Sequence, residues 1–328
     1  MARIFAYITH KAGLVDDTAA ELAAAARKID AAASPTAVLA GWGPDLDAAC
    51  DSLRASYGEI WKIGNEALPY PNAELIRQAL VKVLPPGSIL LIAHEHFGID
   101  LAPGLSIKLN AAFVSDVCGI EGMDGAYLKV IRQEFGGQVS AHVRCDTSSG
   151  AVVTVRPGAF KANERTPISG TVVDKSLEIG ALTSGRHYLE TILAEAGDVD
   201  ITKHKVLVSI GRGIQEKDNV AIAEELADAI GAAVSCSRPV VDAKWMEKSR
   251  QVGSSGKTVK PKVYLACGIS GQFQHLAGIK GSPFLIAINK NPKAPIFQVA
   301  DVGVVDDILE FLPLLTSKVR ELHGIAAK

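Results

Sequence analysis

The residues able to do chemistry concentrate between Ser237 and Asp307, where glycines, hydroxyls, an arginine and a histidine surround two short apolar runs. Those runs, Val263–Cys267 and Phe284–Ile288, read as buried parallel strands, because a continuous apolar stretch of that length is covered on both faces. The first passes directly into Gly268-Ile269-Ser270-Gly271 and then into a helix-like stretch, Gln272–Ala277. A strand, a glycine turn and a helix start leave backbone N–H groups without acceptors, and such groups suit phosphate. The spacing predicts a site for a large phosphate-bearing cofactor.

Further polar features cluster with this one. Gly211-Arg212-Gly213 follows a predicted strand and precedes a predicted helix. A glycine pair there serves an ordinary tight turn, but an arginine between them stands where open α/β sheets bind ligands. His275 sits one turn into the helix-like stretch, beside Ser270 and Gln274; in isolation it reads as a satisfied structural residue, and in this company as a ligand group. Gly253-Ser254-Ser255-Gly256-Lys257-Thr258 resembles the end of a phosphate-binding GxxxxGK[ST] loop. The first glycine of that pattern falls at position 251, which is Gln251, and no strand precedes it, so nucleotide hydrolysis does not fit. Seven basic residues between Arg238 and Lys262 face only Asp242 and Glu247. They make either a solvated loop or a neutralising surface for a diphosphate or a partner's carboxylates.

The elements that must position these groups follow from hydrophobic periodicity. The first half alternates strands (Arg3–Ile8, Thr36–Leu39, Glu59–Ile63, Ser88–Ala93) with helices (16–33, Leu46–Leu53, about 72–84, Asp100–Leu109, with Pro103 in the first turn of the last). This βαβα order predicts a parallel sheet covered by helices. Ala126–Gln133, Gln138–Arg144 and Ala151–Arg156 read as an antiparallel edge meander, and 157–202 carries few periodic elements. A second α/β run has strand Val206–Ile210, helix Asp218–Ile230, strand Ala232–Ser235, the two strands above and a last helix, about 307–323. The expected fold class is α/β. An N-terminal parallel-sheet domain with an antiparallel edge meander (1–202) precedes a C-terminal doubly wound domain (203–328).

Bulk properties narrow the function. With 328 residues, the chain is long enough for two cores. A net charge of −2 provides no global field for nucleic acid or membrane. No apolar run approaches the roughly 20 residues of a membrane span, and the first residues lack a signal-peptide core, so a cytoplasmic protein is expected. The five cysteines (Cys50, Cys118, Cys145, Cys236, Cys267) form no CxxC pair, which predicts buried thiols rather than a disulfide framework, metal site or iron–sulfur cluster.

Taken together, the motifs resemble the alpha subunit of electron transfer flavoprotein. The resemblance rests on VSIGRG at 208–213, SRPVVD at 237–242, QVG at 251–253, GKT at 256–258, GISG at 268–271 with QHLAG at 274–278, AINK at 287–290 and APIFQVAD at 294–301. Order and spacing are also the family's. The N-terminal half matches more loosely, best at GIDLAP (98–103) and VSDV (114–117).

The resemblance implies FAD in the C-terminal domain and a heterodimer with a beta subunit. It implies flavoprotein dehydrogenases, such as acyl-CoA dehydrogenases, as donors and a quinone reductase or similar acceptor. By the same resemblance, Arg238 lies over the flavin ring with Arg212 near, and Ser237 contacts the cofactor. Val252, Gly253, Ser254, Ser255 and Gly256 run along the ring edge. Ser270, Gly271, Gln272, Phe273, Gln274 and His275 wrap the phosphates and the pyrimidine side, with His275 at the carbonyl between the two ring nitrogens. Asn289, Asp307 and Ile308 hold the adenosine end. A cation over the ring and a donor at that carbonyl stabilise charge arriving on reduction. Three departures from the family pattern, at Ser254-Ser255, Ile210 and Phe273, bear on the potential. The implied protein is an electron carrier without catalytic residues or metal. The alternatives are a subunit of an electron-bifurcating complex, a nicotinamide-dependent dehydrogenase (neither half carries GxGxxG after its first strand) and a regulatory nucleotide-binding module.

Overall fold

The computed structural model describes residues 3–161, 168–190, 199–281 and 283–322. The chain divides into two compact units, residues 1–190 and 191–328. In chain order the first contains β1 (Ile4–Tyr7), a hairpin of β2 (His10–Lys11) and β3 (Leu14–Val15), α1 (Thr18–Ile29), β4 (Thr36–Gly41), α2 (Gly43–Ser52), β5 (Glu59–Gly64) and α3 (Ala73–Val83). It continues with β6 (Ile89–Ala93), α4 (His96–Leu109), β7 (Ala112–Asp124), β8 (Tyr127–Glu134), β9 (Val139–Asp146), β10 (Ala151–Val155) and β11 (Thr171–Asp174).

Nine of these strands form one sheet in the order β11-β5-β4-β1-β6-β10-β7-β8-β9. Pairing is parallel from β11 through β7 and antiparallel in β7-β8-β9. The central strands β1, β4, β6 and β10 are buried along their length, which is why their sequences are apolar at nearly every position, Thr36 and Thr154 apart, rather than alternating. Successive side chains still divide between two cores. Leu91 joins Leu22, Ile29 and Leu39 on one face, and Leu90 joins Phe5, Ile76 and Leu80 on the other. Helix α3 begins where Asn72 accepts from the backbone N–H of Glu74 at 2.9 Å, a side-chain N-cap.

Four elements differ from expectation. Ala151–Val155 is not part of the meander but a central parallel strand between β6 and β7. The third meander strand is β7, which carries register shifts near Cys118 and Glu121 and a left-handed Asp116 (φ 57°). Bulges break the two-residue period by which strands are read. Edge strand β11 lies within the stretch that shows no periodicity. Helix α4 starts at His96, so Pro103 is interior and not in the first turn.

The second unit contains β12 (Val206–Ile210), α5 (Val220–Ile230), β13 (Ala233–Cys236), α6 (Arg238–Asp242), β14 (Val263–Cys267), α7 (Phe273–Leu276), β15 (Phe284–Ile288), β16 (Val302–Val304) and α8 (Ile308–Leu322). Its sheet is wholly parallel, in the order β13-β12-β14-β15-β16, the doubly wound arrangement. One apolar cluster packs Leu226, Leu265 and Leu312 on one face, and another packs Ile201, Leu207 and Tyr264 on the opposite face. The expected end of the last helix, His323, lies outside the described residues. Among the described residues, no helix is long and apolar enough to cross a membrane.

Candidate cofactor site

The strand order of the second unit reverses between β12 and β14, and in open parallel sheets ligands bind beyond the carboxyl ends of the strands at that point. Ile210 and Cys267, the last residues of these strands, are register partners. The turns that follow are bonded to each other: the Gly211 N–H donates to the Cys267 carbonyl at 2.8 Å and the Gly213 N–H to the Gly268 carbonyl at 3.2 Å. A Cβ on Gly211 would stand 2.3 Å from the Gly268 oxygen, so any side chain there forces the turns apart. Arg212 is exposed between them.

The loop from Gln251 to Lys257 lies against the turn from Gln274 to Gly278. The Ser254 N–H donates to the Gln274 carbonyl at 2.7 Å. A Cβ on Gly278 would come within 2.3 Å of the Gly253 nitrogen. Val252 and Gly253 are buried by this packing, whereas Ser254, Ser255 and Gly256 are exposed.

The helix expected over Gln272–Ala277 is a single turn, Phe273–Leu276. It is too short to supply the dipole of a full helix. The donor set is instead the loop itself. Among the described residues no backbone carbonyl accepts from the N–H groups of Ile269, Ser270, Gly271 or Gln272. Four consecutive unspent donors form a backbone cradle for an anion. Gly271 is buried, and Ser270, Gln272, Phe273 and Gln274 are exposed beside it.

His275 is 7% exposed. Its Nε2 shares a 2.8 Å hydrogen bond with the Tyr264 hydroxyl, and its Nδ1 is buried without a well-aligned partner. Burial pulls its pKa down to about 4, opposed slightly by the Val252 carbonyl, so at neutral pH the ring is uncharged and able to donate one N–H. Both ring nitrogens are therefore turned into the protein.

Ser237 is buried at the start of α6, its N–H on the Ile210 carbonyl at 3.0 Å. Arg238 follows, its guanidinium 70% exposed and 3.3 Å from Asp242. At the other end of the site, Asn289 donates from Nδ2 to the Ile269 carbonyl at 2.9 Å. Asp307 accepts from the Leu309 N–H at 3.0 Å and pairs with Lys290 at 2.6 Å. Lys290 and that N–H hold its carboxyl below the usual range. The Ile308 side chain is core, 2% exposed, so only its backbone can serve a ligand.

Sequence reasoning assigned no role to three residues here. Gln251, 3% exposed, donates from Nε2 to the Ser255 hydroxyl at 2.9 Å. Tyr264 donates to Ser209 at 2.7 Å. The available signal was a serine and a tyrosine inside otherwise apolar strands.

The chemistry of this donor set fits FAD. Unspent N–H groups suit a diphosphate, exposed hydroxyls and arginines border the cradle, and a carboxylate suited to ribose hydroxyls stands at the β15–α8 end. Fold and site thus define a two-unit α/β flavin protein. Residues 4–179 match the family described as the electron transfer flavoprotein domain, and residues 200–280 the electron transfer flavoprotein FAD-binding domain. The chain is 39% identical over 236 residues to the electron transfer flavoprotein subunit alpha of Thermoanaerobacterium thermosaccharolyticum, covering 71% of each. It is 34% identical to that of Methylophilus methylotrophus, covering 94% of this chain and 97% of the relative. It is also 32% identical to the lactate dehydrogenase (NAD(+),ferredoxin) subunit LctC of Acetobacterium woodii, covering 96% and 76%. The chain belongs to the electron transfer flavoprotein alpha-subunit family, and it is an FAD-binding electron carrier of that type.

Proposed function

We propose that the chain pairs one-to-one with a beta subunit in the cytoplasm. There it carries electrons from flavoprotein dehydrogenases, such as acyl-CoA dehydrogenases, to a quinone reductase or similar acceptor. The observation that carries the cofactor's placement is the convergence at the carboxyl ends of β12 and β14 of the Gly211–Gly213 turn and the 269–272 N–H cradle, with the Gly253–Gly256 loop against Gln274–Gly278.

FAD, when bound, supplies the one- and two-electron chemistry. The 269–272 N–H groups, with Ser270, Gly271, Gln272, Phe273 and Gln274, hold the diphosphate. Asn289, Asp307 and the Ile308 backbone hold the adenosine end, and Ser237 meets the cofactor beside Arg238. Arg238 and Arg212 supply positive charge to the ring. Val252 to Gly256 would run along the ring's edge, where the Ser255 hydroxyl would be a donor for N5. His275 would donate a neutral N–H to the pyrimidine carbonyl only by turning its ring outward and giving up the Nε2 hydrogen bond to Tyr264. A positive and donor-rich surround stabilises the reduced ring without proton transfer.

Co-expression with the beta subunit tests this. The expected result is a yellow heterodimer with one FAD in this chain. An FAD-loaded homodimer of this chain alone overturns it. The likeness to a relative named as a subunit of an NAD(+),ferredoxin lactate dehydrogenase favours a second reading, an alpha subunit of an electron-bifurcating complex. Two flavins per heterodimer, one of them in the beta subunit, distinguish that case.

A further inference from the structure

Ser255 sits at the tip of a four-residue turn closed by the Gly256 N–H on the Gly253 carbonyl at 3.0 Å, and it is exposed. A serine on such a turn has three accessible rotamers and a freely rotating hydroxyl. Nothing in the turn itself aims it.

Gln251 removes that freedom. Its backbone is gripped on both sides: its N–H donates to the Lys248 carbonyl at 3.1 Å, and its carbonyl accepts from the Lys257 N–H at 2.7 Å. It bridges Cys236 at the end of β13, and a Cβ on Gly256 would stand 2.4 Å from its oxygen. The side chain is 3% exposed, with Nε2 placed 2.9 Å from the Ser255 Oγ. A primary amide nitrogen donates and cannot accept. The Ser255 oxygen is therefore the acceptor in this bond, and its proton is left to point away from Gln251, outward from the turn.

We infer that Gln251 is a positioning residue: it fixes the rotamer of Ser255 and makes its hydroxyl a one-way donor toward the cofactor. This rests on the reading above that Ser255 borders the flavin ring.

The test uses the full chain with its beta subunit and bound FAD, read by spectroelectrochemical titration and by FAD release. Ser255→Ala reports whether the hydroxyl meets the ring. Gln251→Met keeps the side-chain volume but removes the amide. Gln251→Glu presents only acceptors, so the Ser255 proton turns inward. Ser255→Thr, placed in the Gln251→Met background, restores rotamer restriction through its branched Cβ.

The expected result is that Ser255→Ala and Gln251→Met lower the first one-electron potential alike, by about tenfold in the reduction equilibrium, or about 59 mV. Gln251→Glu lowers it at least as far, and Ser255→Thr recovers more than half of the Gln251→Met loss. If Ser255→Ala shifts the potential and Gln251→Met titrates like the parent, the inference is overturned while the site reading stands. A Gln251→Met shift that Ser255→Thr leaves unrepaired also overturns it, because the amide then acts by holding the loop. If Ser255→Ala titrates like the parent, both readings fall.

Discussion

The Tyr264 hydroxyl and Nε2 of His275 stand 2.8 Å apart in the interior of the second unit, and the same hydroxyl donates to Ser209 at 2.7 Å. A strand residue thus anchors the one histidine of the GISGQFQHLAG segment, and burial keeps its ring neutral. His275 consequently ties the 274–278 turn, and with it the Gly253 loop, to β14.

The first prediction concerns acid stability. Burial pulls the His275 pKa from its ordinary 6.5 in the unfolded chain down to about 4 in the folded one. Between these values the unfolded chain binds more protons, so stability falls as pH drops and nothing is gained above about pH 6.5. The loss at about pH 5 amounts to about 2 kcal/mol. Urea titrations at about pH 7.5 and about pH 5 should show that His275→Asn lacks most of this loss. An unchanged pH dependence means that another group carries it.

The second prediction concerns Arg238. Its guanidinium is 70% exposed, so Arg238→Ala should alter folding stability by no more than about 0.5 kcal/mol. Its effect should appear in the flavin potential, which falls because one-electron reduction becomes about 1.5–3 kcal/mol less favourable when a charge-assisted contact is lost. A potential equal to the parent's, with FAD bound, removes Arg238 from the ring.

A third outcome separates His275 from Ser255. His275→Ala should lower the first one-electron couple, where negative charge reaches the pyrimidine carbonyl, and leave the second less affected. Ser255→Ala should move both. Equal effects on both couples from His275→Ala would place its action elsewhere than at that carbonyl.

Gly278 provides a steric prediction. A Cβ there would sit 2.3 Å from the Gly253 nitrogen, and backbone cannot yield as a flexible side chain does. Gly278→Ala should displace the 252–256 loop and weaken FAD retention at least tenfold, about 1.4 kcal/mol, while far-UV dichroism stays close to the parent's. Wild-type FAD affinity in this variant means the loop is not part of the site.

Much of the architecture was legible in the residue order, because its signals are local. Val206–Ile210, Val263–Cys267 and Phe284–Ile288 coincide with the strands read from the sequence, since strands covered on both faces are written as short, mostly apolar runs. The glycine turns after β12 and β14 were legible because a phosphate cradle needs backbone free of side chains. What was not legible depends on partners distant in sequence. β7 is masked by its bulges, and β10 reads as an edge although it pairs centrally with β6, some sixty residues earlier. The helix after Gly271 is a single turn, and Gly278 just beyond it packs against Gly253. Only the tertiary structure decided that His275 turns toward Tyr264 and that Gln251 reaches Ser255. Rotamer and hydrogen-bond choices depend on which neighbours arrive, and motif spacing carries no information about them.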